Sequence, residues 1–256
     1  MLSEKHLLAD LDREAGHMSP QRILFIQADC ARAQAMDEVR WIEQLAADDS
    51  RIVGVVAFAP MDQPLDIASI LGRLKSIPLV RGVRHMIQDE PDPDFCLRPA
   101  FVEGVRLCGA AGLSFDLCCL GGQLPAVIEL VRQCPGTRFI LDHCGKPDIR
   151  SGAIEPWRSY ITKLAQFPQV VCKLSGLATQ SDHAQWRISD LRPHWDHLLM
   201  SFGPSRLLFG SDWPVVKLAS SYRRWLSTVE SLAEDLSASD SEAIFNANAA
   251  IVYNLS

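Results

Sequence analysis

The chain has 256 residues, 48% of them hydrophobic and 22% charged, with a formal net charge of −6. That length suits one large domain or two small ones, and that composition can bury a sizeable core, which excludes disorder, collagen and coiled coil as whole-chain descriptions. The acidic balance gives no general attraction to nucleic acid or anionic lipid, and no apolar run approaches the roughly 20 residues of a bilayer span, so neither nucleic acid nor membrane is an expected partner.

In chain order, the first ten residues carry Glu4, Lys5, His6 and Asp10 and lack the apolar core of a secretory signal, so a cytoplasmic location is expected. Lys5 to Ala15 reads as a short amphipathic helix. Short apolar runs then predict strands over 22–28, 52–58, 80–87, 113–118, 138–142, 169–174 and 206–210. Helical patterns lie between and after them, near 33–48, 65–75, 99–109, 123–133, 157–166, 186–202, 219–235 and 240–253. Such alternation argues for successive βαβ units and a parallel sheet covered on both faces, in one domain with no linker. Connections into strands are short, as in Asp49-Ser50-Arg51 and Gly203-Pro204-Ser205. Connections out of strands are longer: Pro60 to Pro64, Asp89 to Pro99, His143 to Pro156, Gly176 to His183 and Asp212 to Lys217. In a barrel these outgoing loops build the active face. Seven strands are visible where a closed (β/α)₈ barrel has eight. The edges left open invite pairing between chains, so a homo-oligomer is an expected form.

The eight cysteines include no C-x-x-C pair, and most sit in apolar runs. Reduced, buried thiols are expected. Cys118 and Cys119 alternate faces on a strand, so no zinc site is expected to be built on that pair.

Three strand ends carry groups capable of chemistry: Arg81, Arg84 and His85 on the strand over 80–87, Asp142 and His143 at the end of the strand over 138–142, and Asp212 after 206–210. A histidine and an aspartate at one mouth suit a metal, and a lone carboxylate suits a general base on water. Each has a plainer reading. His85 suits a hydrogen-bonded structural histidine, Asp212 a turn cap before Trp213-Pro214, and Asp142 a surface salt bridge to Arg138 or Lys146.

Taken together the runs Val80-Arg81-Gly82-Val83-Arg84-His85, Leu141-Asp142-His143-Cys144-Gly145-Lys146-Pro147, Cys172-Lys173-Leu174-Ser175-Gly176-Leu177 and Gly210-Ser211-Asp212-Trp213-Pro214 resemble, in order, the amidohydrolase-related family. More narrowly they resemble its L-fuconolactonase and L-rhamnonolactonase-like branch. The likeness runs from about residue 22 to the C-terminus. It implies a (β/α)₈ TIM barrel, here without its first strand and N-terminally truncated relative to the family, that hydrolyses a sugar lactone or similar cyclic ester. Asp212 is implied as the base on the attacking water, and His143 as the group that polarises the carbonyl or ligates a divalent metal. Arg84, His85, Lys146, Trp213 and, more loosely, Gln27 are implied substrate contacts.

Some members of the superfamily use zinc or a similar ion, and some lactonases are held to work without one. The family's D-x-H-x-H motif has no match in this sequence, which leaves His143 and Asp212 an incomplete ligand set. A start assigned too late, an inactive remnant and a metal-free enzyme are the three expectations that follow. A sugar-acid-binding scaffold without turnover, and a decarboxylase or hydratase of the same superfamily, are the alternatives to a lactonase.

Overall fold

The computed structural model describes residues 4–63 and 66–255, so Pro64 in the first outgoing loop, Leu65 of the expected helix and the first three residues lie outside the described residues. Seven strands form one parallel sheet in sequence order: β1 Ile23–Ile26, β2 Ile52–Phe58, β3 Val80–Arg84, β4 Ser114–Leu117, β5 Phe139–Leu141, β6 Val170–Leu174 and β7 Leu207–Phe209. Helices alternate with them: α1 Leu8–Ala15, α2 Ala35–Asp48, α3 Ile67–Lys75, α4 Pro99–Ala110, α5 Leu124–Gln133, α6 Trp157–Leu164, α7 Ile188–Phe202 and α8 Tyr222–Leu232. The last expected helix is broken into α9 Ala238–Glu242, a π turn over Ala243–Ala247, and α10 Asn248–Val252. Glycines with positive φ end two of the long helices, Gly112 (72°) after α4 and Gly203 (68°) after α7, where a side chain would be strained.

The sheet curls into a barrel with one stave open. Among the described residues no strand pairs with the outer edge of β1 or β7. All four residues of β1 are half-buried, whereas all five of β6 are buried. Side chains replace part of the missing partner: the Asn248 amide donates to the Leu207 carbonyl at 2.9 Å, and the Trp225 indole to that of Gly210 at 2.9 Å.

The strand period of two divides the side chains cleanly. Outward-facing Val55, Ala57, Val83, Phe115, Phe139, Leu141, Cys172 and Leu174 join the main core with the helices. Inward-facing Leu24, Ile26, Val56, Ile140, Val171 and Leu208 form a second core, stoppered by Val252, Tyr253 and Leu255 from the C-terminal segment. Among the described residues no helix is long and apolar enough to cross a membrane. Every cysteine is a free thiol, and all but Cys30 are buried.

Candidate active site

One step along the strands from the inner apolar layer, the inward residues are charged. Register pairs Arg84 with Asp116, and Lys173 lies one residue beyond Cys172, which pairs with Leu141. Lys173 Nζ donates to Asp116 Oδ2 at 2.9 Å and Asp142 Oδ1 at 2.6 Å; Arg84 Nη1 donates to Asp142 Oδ2 at 2.9 Å. Arg84 Nη2 also donates to the Gln27 carbonyl, and Tyr253 Oη donates to Asp116 Oδ2. Both carboxylate side chains are 0% exposed. Asp142 is therefore not the surface partner of Arg138 or Lys146 that its polar neighbours suggest: it is the centre of a buried network. Burial works to raise the Asp142 pKa, but Lys173, Arg84 and His143 hold it below the usual carboxylate range. Asp116 goes the other way, up to about 6, because desolvation and the neighbouring Asp142 outweigh Lys173.

Above this floor the strand ends turn sharply. His143, Cys144, Gly145 and Lys146 all have positive φ, as does Asp212 at 55°. Left-handed backbone at non-glycine residues costs about 1–3 kcal/mol each and collects at functional sites. Here it re-aims His143, which would otherwise face outward beside the inward Asp142. Its Nδ1 lies 3.6 Å from Asp212 Oδ2 and 2.9 Å from Ser175 Oγ. Gly176 (φ 70°) makes room: a Cβ there would sit 2.7 Å from the His143 Cβ. Burial lowers the His143 pKa against the pull of Asp212, and raises that of Asp212 against the pull of His143.

The other expected contacts divide. Lys146 Nζ donates to Gln88 Oε1, beside the Cys118 thiol, which donates to the same oxygen at 3.5 Å. Trp213 is partly buried and its indole N–H donates to Glu14 of α1 at 3.1 Å. Gln27 is 1% exposed; its Oε1 accepts from Asp29 N, and its Nε2 has no hydrogen-bond partner among the described residues. Arg84 belongs to the floor, with both terminal nitrogens committed to protein groups.

His85 is a correction to its expected role as a substrate contact. Its ring is 2% exposed, packs against Phe58, Phe95 and Phe101, and accepts the Met61 backbone N–H on Nδ1 at 3.1 Å. Next to inward Arg84, it faces the helix layer, as strand alternation requires.

Cys118, Asp142 and His143 bring ligand atoms within 4.8 Å of one another, so Cys118 reaches the mouth, though its neighbour Cys119 does not share the cluster. As arranged, this trio does not fit zinc. Both Asp142 oxygens are taken by cations, and the Cys118 thiol already donates to Gln88 Oε1 at 3.5 Å. A catalytic zinc takes about three protein ligands, most often deprotonated and uncommitted. His143 and Asp212 remain, which is one short.

Sequence reasoning did not assign roles to Ser175, Gly176, Asp116, Lys173, Gln88 or Glu14. The signal for Asp116 and Lys173 was present, as single charges inside otherwise apolar strands.

A curled sheet of seven parallel strands alternating with helices, with an imidazole and a carboxylate converging at its C-terminal strand ends, is of the TIM-barrel class among the described residues. A family model described as amidohydrolase matches residues 3–255, and the chain belongs to that family. It is 39% identical over 230 residues to an L-fucono-1,5-lactonase of Burkholderia multivorans, covering 86% of this chain and 77% of that protein. An L-fucono-1,5-lactonase of Burkholderia ambifaria is 32% identical over 254 residues, covering 96% and 84%. A crystal structure of an amidohydrolase from Burkholderia multivorans with bound zinc superposes with a TM-score of 0.90 at 35% identity, covering 100% of this chain and 90% of that one.

Proposed function

We propose that the chain hydrolyses a sugar lactone, with Asp212 as general base. The reading is carried by the 3.6 Å approach of Asp212 to His143 Nδ1 at the barrel mouth, and it is supported by the two relatives named as L-fucono-1,5-lactonases. Asp212 takes a proton from water as the water oxygen attacks the ring-ester carbonyl. The desolvation that raises its pKa makes it a stronger base than an exposed aspartate. His143, in contact with Ser175 Oγ through Nδ1, supplies its imidazole to polarise the carbonyl and steady the developing oxyanion. Collapse of the tetrahedral intermediate breaks the bond to the ring oxygen, which takes the proton back from Asp212 and leaves the open hydroxy acid. Lys146 supplies a nearby cation, Trp213 an apolar face for the sugar ring, and Gln27 Nε2 an uncommitted donor.

The test is proton release from a panel of aldonolactones by the wild type and Asp212→Asn. Turnover is expected to fall about a hundredfold or more, in line with general-base contributions, with an unchanged thermal transition. Equal rates remove Asp212 from the role. A wild type that binds sugar acids in calorimetry yet opens no lactone makes the chain a binding scaffold instead.

A further inference from the structure

The base proposed above sits at the open edge of the sheet. Asp212 follows β7, the strand with a neighbour on one side only. Gly210 N donates to Leu174 O of β6, but no strand stands on the other side among the described residues. A turn in a closed barrel is held from both flanks; this one needs another anchor. The structure offers it in α1, which packs Leu11 and Ala15 with Tyr222 and against Ile23 of β1, Trp213 and Leu226 of α8. The helix therefore spans both edges of the opening. From it, Glu14 makes two hydrogen bonds: Oε2 accepts from Trp213 Nε1 at 3.1 Å, and Oε1 accepts from the Tyr222 backbone N–H at 2.7 Å. The His6 ring meets the same indole edge-on, centroids 5.5 Å apart. Tyr222 N is the first amide of α8, an orphan donor that a carboxylate satisfies well. One carboxylate thus ties the residue next to Asp212 to the start of a packed helix.

We propose that Glu14 is a positioning residue for the reaction. Through Trp213 it fixes the left-handed turn at Asp212, and so the distance from the carboxylate to His143. This rests on the lactonase reading, and it makes a different demand of kinetics than a stability role does. The chemical step should suffer more than substrate affinity, because Glu14→Gln leaves the Trp213 indole present as a face for the sugar and loosens the turn that carries Asp212.

The experiment compares wild type, Glu14→Gln and Trp213→Phe. Glutamine keeps the size but offers one acceptor, so only one of the two donors can be held. The indole N–H resonance missing from Trp213→Phe in a heteronuclear NMR spectrum assigns Trp213, and its position in Glu14→Gln reads the hydrogen bond directly. Expected are a shifted Trp213 indole signal and a kcat lowered about tenfold to a hundredfold, the scale of a misplaced catalytic group, with KM changed less than about twofold. Glu14→Asp, whose shorter side chain withdraws from both donors, should lower kcat to a similar extent if Glu14→Gln does not fold. An unshifted indole signal, or a shifted one with kcat intact, overturns the assignment while leaving the function standing. A change confined to thermal stability also overturns it. A wild type inactive on every lactone overturns both together.

Discussion

Replacing Asp142 with asparagine keeps the shape of the side chain and removes one charge from the barrel floor. In the wild type, two cations and two carboxylates balance there: Arg84 and Lys173 against Asp116 and Asp142, with side-chain exposures of 9%, 10%, 0% and 0%. Asparagine leaves Lys173 paired with Asp116 alone and Arg84 with only the Gln27 carbonyl, so a net positive charge stays buried. Breaking a buried pair from one side costs about 3–5 kcal/mol, a large fraction of the roughly 5–15 kcal/mol that holds a domain folded. At about 2–4 °C per kcal/mol for a chain near this size, the melting temperature should fall by roughly 6–20 °C. Urea unfolding at neutral pH, followed by circular dichroism, measures the loss. Adding Arg84→Met removes a cation as well and restores balance, so the double variant should lose less than the sum of the two single ones. An exposed pair such as Arg13–Asp10 gives the contrast, since water and salt screen it and removing it should leave the melting temperature almost unmoved. If Asp142→Asn costs under about 1 kcal/mol, the four groups are not a coupled, desolvated network and the reasoning fails.

Two further outcomes follow from the same geometry. Burial lowers the His85 pKa to about 4 from 6.5, with Asp62 opposing and Arg32 assisting, so the folded ring stays neutral where the unfolded one takes up a proton. Its contribution is complete above about pH 6.5 and falls away as pH drops toward 4, by about 3 kcal/mol in all. Stability of wild type and His85→Gln across that window should converge at acid pH, and parallel curves would refute the buried neutral ring. Gly176→Ala places a methyl 2.7 Å from the His143 Cβ at a φ of 70°. It should lower kcat at least about tenfold through displaced imidazole, which single-turnover lactone hydrolysis would register, and an unchanged rate would show that His143 needs no such room.

The seven strands were legible because each is a short apolar run bounded by turn residues, and every one forms close to its expected span. The helices followed from amphipathic period; α8 buries Tyr222, Trp225, Val229 and Leu232, one face of a helix. The broken last helix was not legible, since 240–253 carries no proline or glycine to announce its π turn. At the site, the meeting of residues 143 and 212 could be anticipated from consecutive strand ends facing one mouth. The fates of Arg84, His85 and Asp142 could not. Each is a polar residue at the end of an apolar strand, and only parity decides whether it faces floor, helix layer or solvent. Glu14 lay beyond reach for another reason: its partner is 199 residues away, and no local pattern links a helix at the start of the chain to a turn near its end.

Parity also explains why the floor and the site are one construction. Strand β5 sends Ile140 and Asp142 inward, and regular geometry would send His143 out into the helices. The chain instead enters a left-handed turn at His143, with φ of 50° there and 55° at Cys144. That turn is costly, and a flexible strand end would relax out of it. Asp142 cannot relax, because its two oxygens are pinned by Arg84 and Lys173 inside the barrel. The Trp157 indole donates to the Cys144 carbonyl at 2.7 Å and holds the turn from outside. The buried charges therefore shape the mouth from below. They fix the residue before the imidazole, and the strained turn converts that fixed point into an inward-facing His143 within reach of Asp212.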